Sequence, residues 1–526
     1  MALRLCLLVC LPFITGVQAG KILVVPVDGS HWLNLKIFMI ELAQKGHELI
    51  VTRPSVSWYI DETSEHFKVL DIPMAGKQQF SREQYEDHVQ KWIFQRSFAK
   101  HSSPFTTAWE SIKTLNTGIR LITVVLEAMF ENAKVMDYLK NANFDLVLAD
   151  PYNVGGIMLA YHLKLPVVFF GRWMPSDDVH FVIAPSPLSY VPVVTSRLTD
   201  RMVFSERVKN VLVHLYRSAL YFLIYPTYDK LAQRYLNTDV SVYEMYKHAD
   251  MYLMKVDFVL EFPRPTLPNA VYIGGFQCKP SKPLPQDMQQ FMDSSVEGVV
   301  VFSLGTLVKS LPLHIAREVA AGLAQLKERV IWRYSGEPLD TLGNNTVTVN
   351  WLPQNDLLSH GNTKVFFAHG GENGIYEAIY HGVPIVGFPL FGDQFENLLR
   401  LKMRGAAVVL ENTQVLTAKD VFDAVRLVID NPSYRQAMMR LSKLYKDTPV
   451  PPMNLAVFWT EFVMRHKGAG HLKAAGNDLV WYQYYLLDVM CGFLIACIIF
   501  LYTTCKFFRA VLKICCGRKK EKQKRS

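Results

Sequence analysis

The central part of this sequence has almost no cysteine. The chain has 526 residues and 8 cysteines. Cys6 and Cys10 belong to an N-terminal leader, and five others lie in or after a C-terminal apolar segment. Cys278 alone remains between these ends. One thiol cannot form an internal disulfide, so the body of the protein must be stabilised by its hydrophobic core.

Several motifs of metal and cofactor chemistry are also missing. The sequence has no cluster of Cys and His at metal-ligand spacing and no Asp-x-Asp motif for a metal-chelated diphosphate. It has no Gly-x-Gly-x-x-Gly, which argues against a dinucleotide-dependent oxidoreductase. The formal net charge is +9, but much of it lies in the last few residues, so we do not expect nucleic-acid binding. We therefore expect no metal, no cofactor and no nucleic-acid partner.

Both ends of the chain have the composition of membrane-targeting segments. Residues 1–19 combine a basic start, a short apolar centre and small residues, which predicts a cleaved signal peptide rather than a retained anchor. Residues 486–505 are largely apolar and long enough to span a bilayer, with a buried core helix as the alternative. The basic residues of 506–526 favour the span, and they predict a cytosolic tail and a lumenal body.

The last residues also indicate a compartment. Lys522 and Lys524 stand fifth and third from the end. This spacing resembles a dilysine retrieval signal, which predicts a single-pass type I protein of the endoplasmic-reticulum membrane. A basic tail that rests on a membrane surface is the alternative.

Alternating strand and helix patterns predict two doubly wound α/β domains. The first starts with a strand at 21–27, a helix at 31–45 with Ser30 as its N-cap, and a strand at 48–52. We place it at 20–277. A Pro- and Lys-rich linker follows at 278–295. Strands of the second domain, at 296–445, are predicted at 298–302, 330–334, 346–350, 364–368, 384–388 and 406–410.

His31 and Asp150 are candidate catalytic residues. His31 opens the first predicted helix, and Asp150 follows a buried-looking strand at 144–149. If both strands share a sheet, the two side chains lie on the same rim. An Asp bonded to one imidazole nitrogen would fix the tautomer while the other nitrogen accepts a proton. The alternative is structural, because an Asp after a strand is often a cap and a His in a first helical turn is often packed.

A second candidate site lies within residues 351–405. A strand ends at His369, a glycine turn follows, and a helix then begins, so free N–H groups would point at an anion. Residues along this stretch offer contacts to a base, a phosphate, a ribose and a sugar. Taken singly, each is more often a turn or packing residue, and only the joint pattern indicates a nucleotide-sugar site. The candidates are Trp351, Gln354, His369, Gly371, Asn373, Gly374, Glu377, Asp393 and Gln394.

In order and spacing, these residues resemble the signature of the UDP-glycosyltransferases, and most closely that of the membrane-bound vertebrate UDP-glucuronosyltransferases. The likeness covers nearly the whole chain. It implies the GT-B fold, in which two Rossmann-like domains face across a cleft, with an acceptor-binding first domain and a second domain that binds UDP-sugar. It also implies that residues 446–485 return to the first domain. By the same resemblance, Ser303 contacts the donor diphosphate, with Arg333 as a weaker candidate.

The resemblance further implies inverting transfer of glucuronic acid to phenols, steroids or other small lipophilic acceptors, with His31 as general base and Asp150 as its partner. UDP-glucose, UDP-galactose and UDP-N-acetylglucosamine remain open as donors. A non-catalytic, membrane-anchored subunit that binds UDP-sugar or a partner is a second alternative. Homo- and hetero-oligomers are compatible with the family.

Two further segments leave alternatives open. Asn344 begins a glycosylation sequon, and such short motifs often go unused. Residues 203–226 mix basic residues with a dense apolar face. We favour a packed helix of a large domain there, and an amphipathic helix on a membrane is the alternative.

Overall fold

The computed structural model describes residues 19–74, 90–91, 93–94, 97–98 and 104–523. Residues 1–18 of the predicted signal peptide lie outside the described residues, as do Lys524 and Arg525 of the predicted tail. The chain divides into two compact units, Met1–Leu472 and Lys473–Ser526. The first unit contains both sheets.

The first sheet has seven strands in the order β3-β2-β1-β4-β5-β6-β7, and every pair is parallel. Its central strands are apolar on both faces, because helices cover both sides of a parallel sheet. The strands are β1 Lys21–Val25, β2 Glu48–Pro54, β3 Lys68–Ile72, β4 Leu146–Ala149, β5 Val167–Phe170, β6 Met251–Met254 and β7 Ala270–Tyr272.

The second sheet has six strands in the order β10-β9-β8-β11-β12-β13, again all parallel. Two parallel α/β sheets in one chain confirm the predicted fold class. The strands are β8 Val299–Ser303, β9 Arg329–Arg333, β10 Thr346–Val349, β11 Thr363–Ala368, β12 Ile385–Gly387 and β13 Ala407–Val409.

The α-helices of the first unit lie mainly on the faces of the two sheets. They are α1 Ser30–Gln44, α2 Pro104–Phe130, α3 Ala133–Asn141, α4 Val154–Leu163, α5 His180–Ile183, α6 Phe204–Leu236, α7 Val242–Lys247, α8 Gln286–Asp293, α9 Leu313–Leu323, α10 Gln354–Ser359, α11 Glu372–His381, α12 Gln394–Met403, α13 Ala418–Asp430, α14 Pro432–Lys446 and α15 Pro452–His466. The second unit contains α16 Trp481–Tyr484 and α17 Leu487–Gln523.

The start of α1 differs from the prediction. Ser30 is the first helical residue and not the cap, because the chain turns sharply at Gly29 with φ +87°. Glycine adopts this left-handed conformation at little cost. Among the described residues no side chain caps α1, so within that part of the chain its first N–H groups have no partner beside His31.

The predicted linker is shorter than 278–295. Its last part forms α8, which is amphipathic rather than irregular. Met292 of that helix is fully buried in the core beneath the second sheet. The connecting segment is therefore about half as long as the sequence indicated.

Helix α15 returns the chain to the first sheet. Ala456, Val457 and Val463 pack in the same core as Ile22 and Trp32. The first sheet is therefore covered in part by the C-terminal end of this unit.

Helix α6 is packed over only part of its surface. Ile224 and Tyr225 are fully buried, whereas Phe204 and Phe222 are 75% and 74% exposed. Its first half still packs through one face, since Asn210 there is fully buried and bonds to the backbone of Leu188, Val191 and Val193. The opposite stripe, formed by Phe204, Val208, Leu212 and Leu215 and continued by Phe222, faces outward.

In the second unit, residues 487–514 of α17 are long and apolar enough to cross a membrane, by length and composition. The helix extends well beyond the predicted end at Cys505. Lys and Arg are good helix formers, so the first basic residues do not end it.

Candidate active site

His31 and Asp150 lie together on the rim of the first sheet. Strands β1 and β4 are neighbours, with Val25 opposite Ala149, so both chains leave the sheet at the same edge. His31 Nδ1 lies 2.7 Å from Asp150 Oδ2. The side chains are 119 positions apart in sequence, and the sheet register brings them into contact as the sequence indicated.

The Asp150 carboxylate is buried and hydrogen-bonded, whereas one side of the His31 ring is exposed to solvent. The Asp150 side chain is 3% exposed, and its Oδ1 accepts a hydrogen bond from the Tyr152 backbone N–H at 2.9 Å. The His31 side chain is 29% exposed. Its Nε2 has no hydrogen-bond partner in the described part of the chain. A neutral ring that donates from Nδ1 to Asp150 therefore presents Nε2 as a proton acceptor.

The second rim is formed by the turn between β11 and α11. Ser303 ends β8 opposite Ala368, which ends β11. Gly370 has φ +90°, and Gly371 caps α11 without a side-chain hydrogen bond. The first N–H groups of α11 are therefore free for an anion.

Two glycines make room for the ring of His369. A Cβ on Gly305 would lie 2.7 Å from the ring, and a Cβ on Gly371 would lie 2.4 Å from Nε2. Burial lowers the pKa of His369 to about 4, against the smaller opposing effect of Asp393. The ring is therefore neutral near pH 7. In the unliganded protein His369 can therefore offer hydrogen bonds to a ligand but no positive charge.

Trp351, two residues after β10, presents an exposed aromatic face. Its side chain is 65% exposed, and the Arg333 guanidinium lies 5.4 Å from the ring centroid. Arg333 donates to the backbone oxygens of Gly305 and Asn350. Arg333 therefore positions the loop after β8 through Nε and Nη1, and no hydrogen bond of its Nη2 to the described residues is observed.

Gln354 and Glu377 form one unit. Gln354 Nε2 donates to Glu377 Oε2 at 2.6 Å. Burial raises the pKa of Glu377 to about 7, and the Gln354 amide partly opposes the shift. A Cβ at position 374 would lie 3.3 Å from Gln354 Nε2 and would crowd it. Gly374 therefore leaves room for the Gln354 amide in its observed position. The pair is suited to a ribose diol only when the carboxyl is ionised.

The affinity for UDP should therefore rise between pH 6 and pH 8. Glu377 is protonated below about pH 7 and ionised above it, and only the carboxylate accepts two hydroxyl hydrogen bonds. The expected contribution is up to about 10-fold in Kd, measured by calorimetry across that range. Glu377→Gln should remove this contribution. Asp430→Asn is the control, because that carboxylate lies at the exposed end of α13 and not in the donor turn. If both variants keep the wild-type profile, Glu377 does not bind the ribose.

Asp393 and Gln394 lie at the second junction, where Asp393 precedes α12 and Gln394 is its first residue. Asp393 Oδ2 accepts from Asn397 Nδ2 at 2.8 Å, which leaves Oδ1 for a ligand. Gln394 Oε1 accepts from the backbone N–H groups of Leu390 and Phe391 at 2.8 and 3.1 Å. Only the Gln394 amide nitrogen is thus available to a sugar hydroxyl.

Asn397 was missed by sequence reasoning. Besides Asp393, it donates to the Gly370 backbone oxygen at 3.2 Å, so it ties the two donor turns together. Its position four residues after Asp393 on a predicted helix was a signal that could have identified it.

Asn373 links the two rims. Its Nδ2 donates to Oδ1 of Asn34 at 2.8 Å, across 339 positions of sequence. Asn34 lies on α1, one turn after His31. The N-terminal parts of α1 and of α11 are therefore in contact through these two side chains.

Two parallel α/β domains with these two rims define the class of fold, the GT-B type. A solved UDP-glucosyltransferase from Polygonum tinctorium has the same architecture, with a TM-score of 0.58 at 16% identity. The match covers 85% of this chain and 99% of that chain.

The family follows from sequence comparison. The profile described as "UDP-glucoronosyl and UDP-glucosyl transferase" matches residues 20–523, so the chain belongs to this family and is a UDP-glycosyltransferase. It is 41% identical to UDP-glucuronosyltransferase 2A2 of Homo sapiens over 520 residues, which are 96% of this chain and 95% of the relative. UDP-glucuronosyltransferase 1A1 of Rattus norvegicus is 42% identical over 500 residues, 94% of this chain and 91% of the relative. The resemblance inferred from the motifs is thereby confirmed.

Proposed function

We propose that this protein transfers glucuronic acid from UDP-glucuronic acid to a hydroxyl of small lipophilic acceptors, with inversion at the anomeric carbon. The observation that carries the mechanism is the 2.7 Å contact between His31 and buried Asp150, with Nε2 of His31 left open. A protein that only bound UDP-sugar would need neither side chain. The similarity to glucuronosyltransferases supports the choice of sugar.

In the proposed reaction His31 acts as general base. Nε2 accepts the proton of the acceptor hydroxyl as its oxygen attacks the anomeric carbon from the face opposite UDP. Asp150 stabilises the imidazolium that forms. One displacement breaks the bond from sugar to UDP and forms the bond from sugar to acceptor, so no covalent sugar–enzyme intermediate is needed.

The leaving UDP would be held by the donor turn without a metal. The free N–H groups at the start of α11 face the diphosphate, and Asn373 and neutral His369 add hydrogen bonds. Ser303 lies at the end of the neighbouring strand. Trp351 would stack on the uracil, while Gln354 and Glu377 bind the ribose.

Asp393 would bind the hydroxyls of the transferred sugar. Asp393→Ala should therefore lower kcat/KM for the intact donor by about 10- to 100-fold, the loss of a hydrogen bond to a charged group. The Kd of UDP should change by less than about 3-fold, because UDP lacks the sugar. Asp430→Ala, at the exposed end of α13 in the same domain, is the control. Equal losses for donor and UDP would count against a sugar-binding role.

The proposed location is the endoplasmic-reticulum membrane, with the body in the lumen and the basic tail in the cytosol. The apolar helix at 487–514 and the basic residues that follow support this topology. Asn344 lies exposed in the turn before β10. Mass spectrometry of that peptide from cells checks the topology, because only a lumenal Asn344 can carry a glycan.

The decisive experiment expresses the full chain in membranes that lack related activities. A panel of phenols and steroids is offered with UDP-glucuronic acid, UDP-glucose, UDP-galactose or UDP-N-acetylglucosamine, and the products are weighed by mass spectrometry. Glucuronides formed only with UDP-glucuronic acid are expected. A hexoside would keep the mechanism and change the donor. UDP binding without any product would favour the non-catalytic alternative.

A further inference from the structure

A buried amide of the first domain contacts the donor turn of the second. Asn34 is 6% exposed, although asparagine is usually a surface residue. Its Oδ1 accepts the hydrogen bond from Asn373 Nδ2 at 2.8 Å. It shares a face of α1 with His31, three positions earlier, and with Phe38, which is fully buried. Asn34 is therefore anchored on the rigid element that carries the candidate base.

The hydrogen bond fixes the orientation of the Asn373 side chain. An amide nitrogen carries two N–H donors. With one of them directed at Asn34, the other remains for an anion at the start of α11, where Asn373 is the second helical residue. Without an acceptor at position 34, the amide could rotate and present its oxygen to the diphosphate, which would repel it.

The neighbouring contacts between the domains serve a different part of the site. The Thr195 backbone N–H donates to Glu396 Oε1 at 2.8 Å, which holds α12 and hence the sugar-binding junction. The contact of Asn34 instead joins the helix of the base to the helix of the leaving group. The distance between these two helices decides whether the acceptor oxygen can reach the anomeric carbon.

We propose that Asn34 is a positioning residue for the donor, which aims the Asn373 amide at the leaving diphosphate and sets the spacing between α1 and α11. The effect on turnover rests on the proposed function; the effect on UDP affinity does not. A residue of the acceptor domain would thus contribute to donor binding through a residue of the other domain.

A double-mutant cycle tests this. Asn34→Ala, Asn373→Ala and the double variant are compared by UDP calorimetry and by steady-state kinetics. Asn34→Ala is expected to weaken UDP binding by about 3- to 10-fold, the size of one hydrogen bond, and to raise KM for the donor. In the Asn373→Ala background the same change should have no further effect, because the partner is already gone. Asn34→Asp keeps an oxygen that accepts the hydrogen bond from Asn373. In this variant, Asn373→Ala should therefore still weaken UDP binding.

The matched control is Asn132→Ala. Asn132 caps α3 in the same domain, and its Oδ1 accepts from Val135 N–H at 3.2 Å. This variant should lose stability without any change in UDP affinity. Additive losses in the cycle, or unchanged UDP binding in Asn34→Ala, would overturn the proposal. If the wild type binds UDP and the two substitutions are non-additive in UDP affinity, but no product forms, the proposed function is wrong and the inference about Asn34 still holds.

Discussion

Turnover of the His31→Ala variant is expected to fall by about 10²–10⁴-fold, the usual contribution of a general base. The acceptor hydroxyl then has no group to receive its proton as the new bond forms. UDP affinity should stay within about 2-fold of wild type, because His31 lies on the first rim and the diphosphate turn on the second. Product formation under saturating donor and UDP calorimetry on the same preparation separate the two effects.

His66→Ala is the matched control for His31. His66 lies in the same domain, and its Nε2 is 3.4 Å from Glu65 Oε1, away from the rim. It should leave both turnover and UDP affinity unchanged. Near-normal turnover of His31→Ala would remove His31 from the mechanism, while loss of UDP binding would show a structural role instead.

Asp150→Asn should lower turnover by roughly 10²–10⁴-fold and by no more than His31→Ala does, because Asp150 acts through His31. The amide has the size of the carboxyl, so packing is preserved. It no longer stabilises the imidazolium, and its N–H group can favour the wrong tautomer of His31. Single-turnover rates with bound donor measure this directly. The double variant with His31→Ala should be no slower than His31→Ala alone, because the two residues act as one unit.

Asp145→Asn provides the same chemical change at the other end of β4. Asp145 Oδ2 accepts from the Lys21 backbone N–H at 2.7 Å, far from the catalytic rim. It should lose some stability and no activity. If Asp145→Asn and Asp150→Asn reduce turnover equally, the effect of Asp150 is on folding and not on the base.

Much of the fold could be predicted because its signals are local. The apolar run of β11, the glycine turn after His369 and the periodicity of α11 occupy neighbouring residues, and the structure has them almost as predicted. The predicted start of an element was wrong where a single residue sets that boundary. Gly29, and not Ser30, precedes the first helical residue of α1, because the turn there needs a positive φ that glycine adopts at little cost.

The site could be predicted in part. His31 and Asp150 follow strands, and strand ends in a parallel sheet share an edge, so their meeting could be expected from the pattern. Asn34 could not be identified in this way, because a polar residue on an otherwise apolar helix face gives no sign of its partner. The state of His369 was likewise open until the surrounding burial was known.

The sequence by itself determined the class of fold, the family and the candidate residues of the donor site, since these depend on residue type and spacing along the chain. Only the tertiary structure decided which side chains from the two domains meet. The contact of Asn34 with Asn373 joins residues 339 positions apart, and such a contact depends on how the two sheets close on each other. The secondary-structure propensity of each segment contains no information about how the two sheets pack, because that packing depends on contacts among many residues distant in sequence.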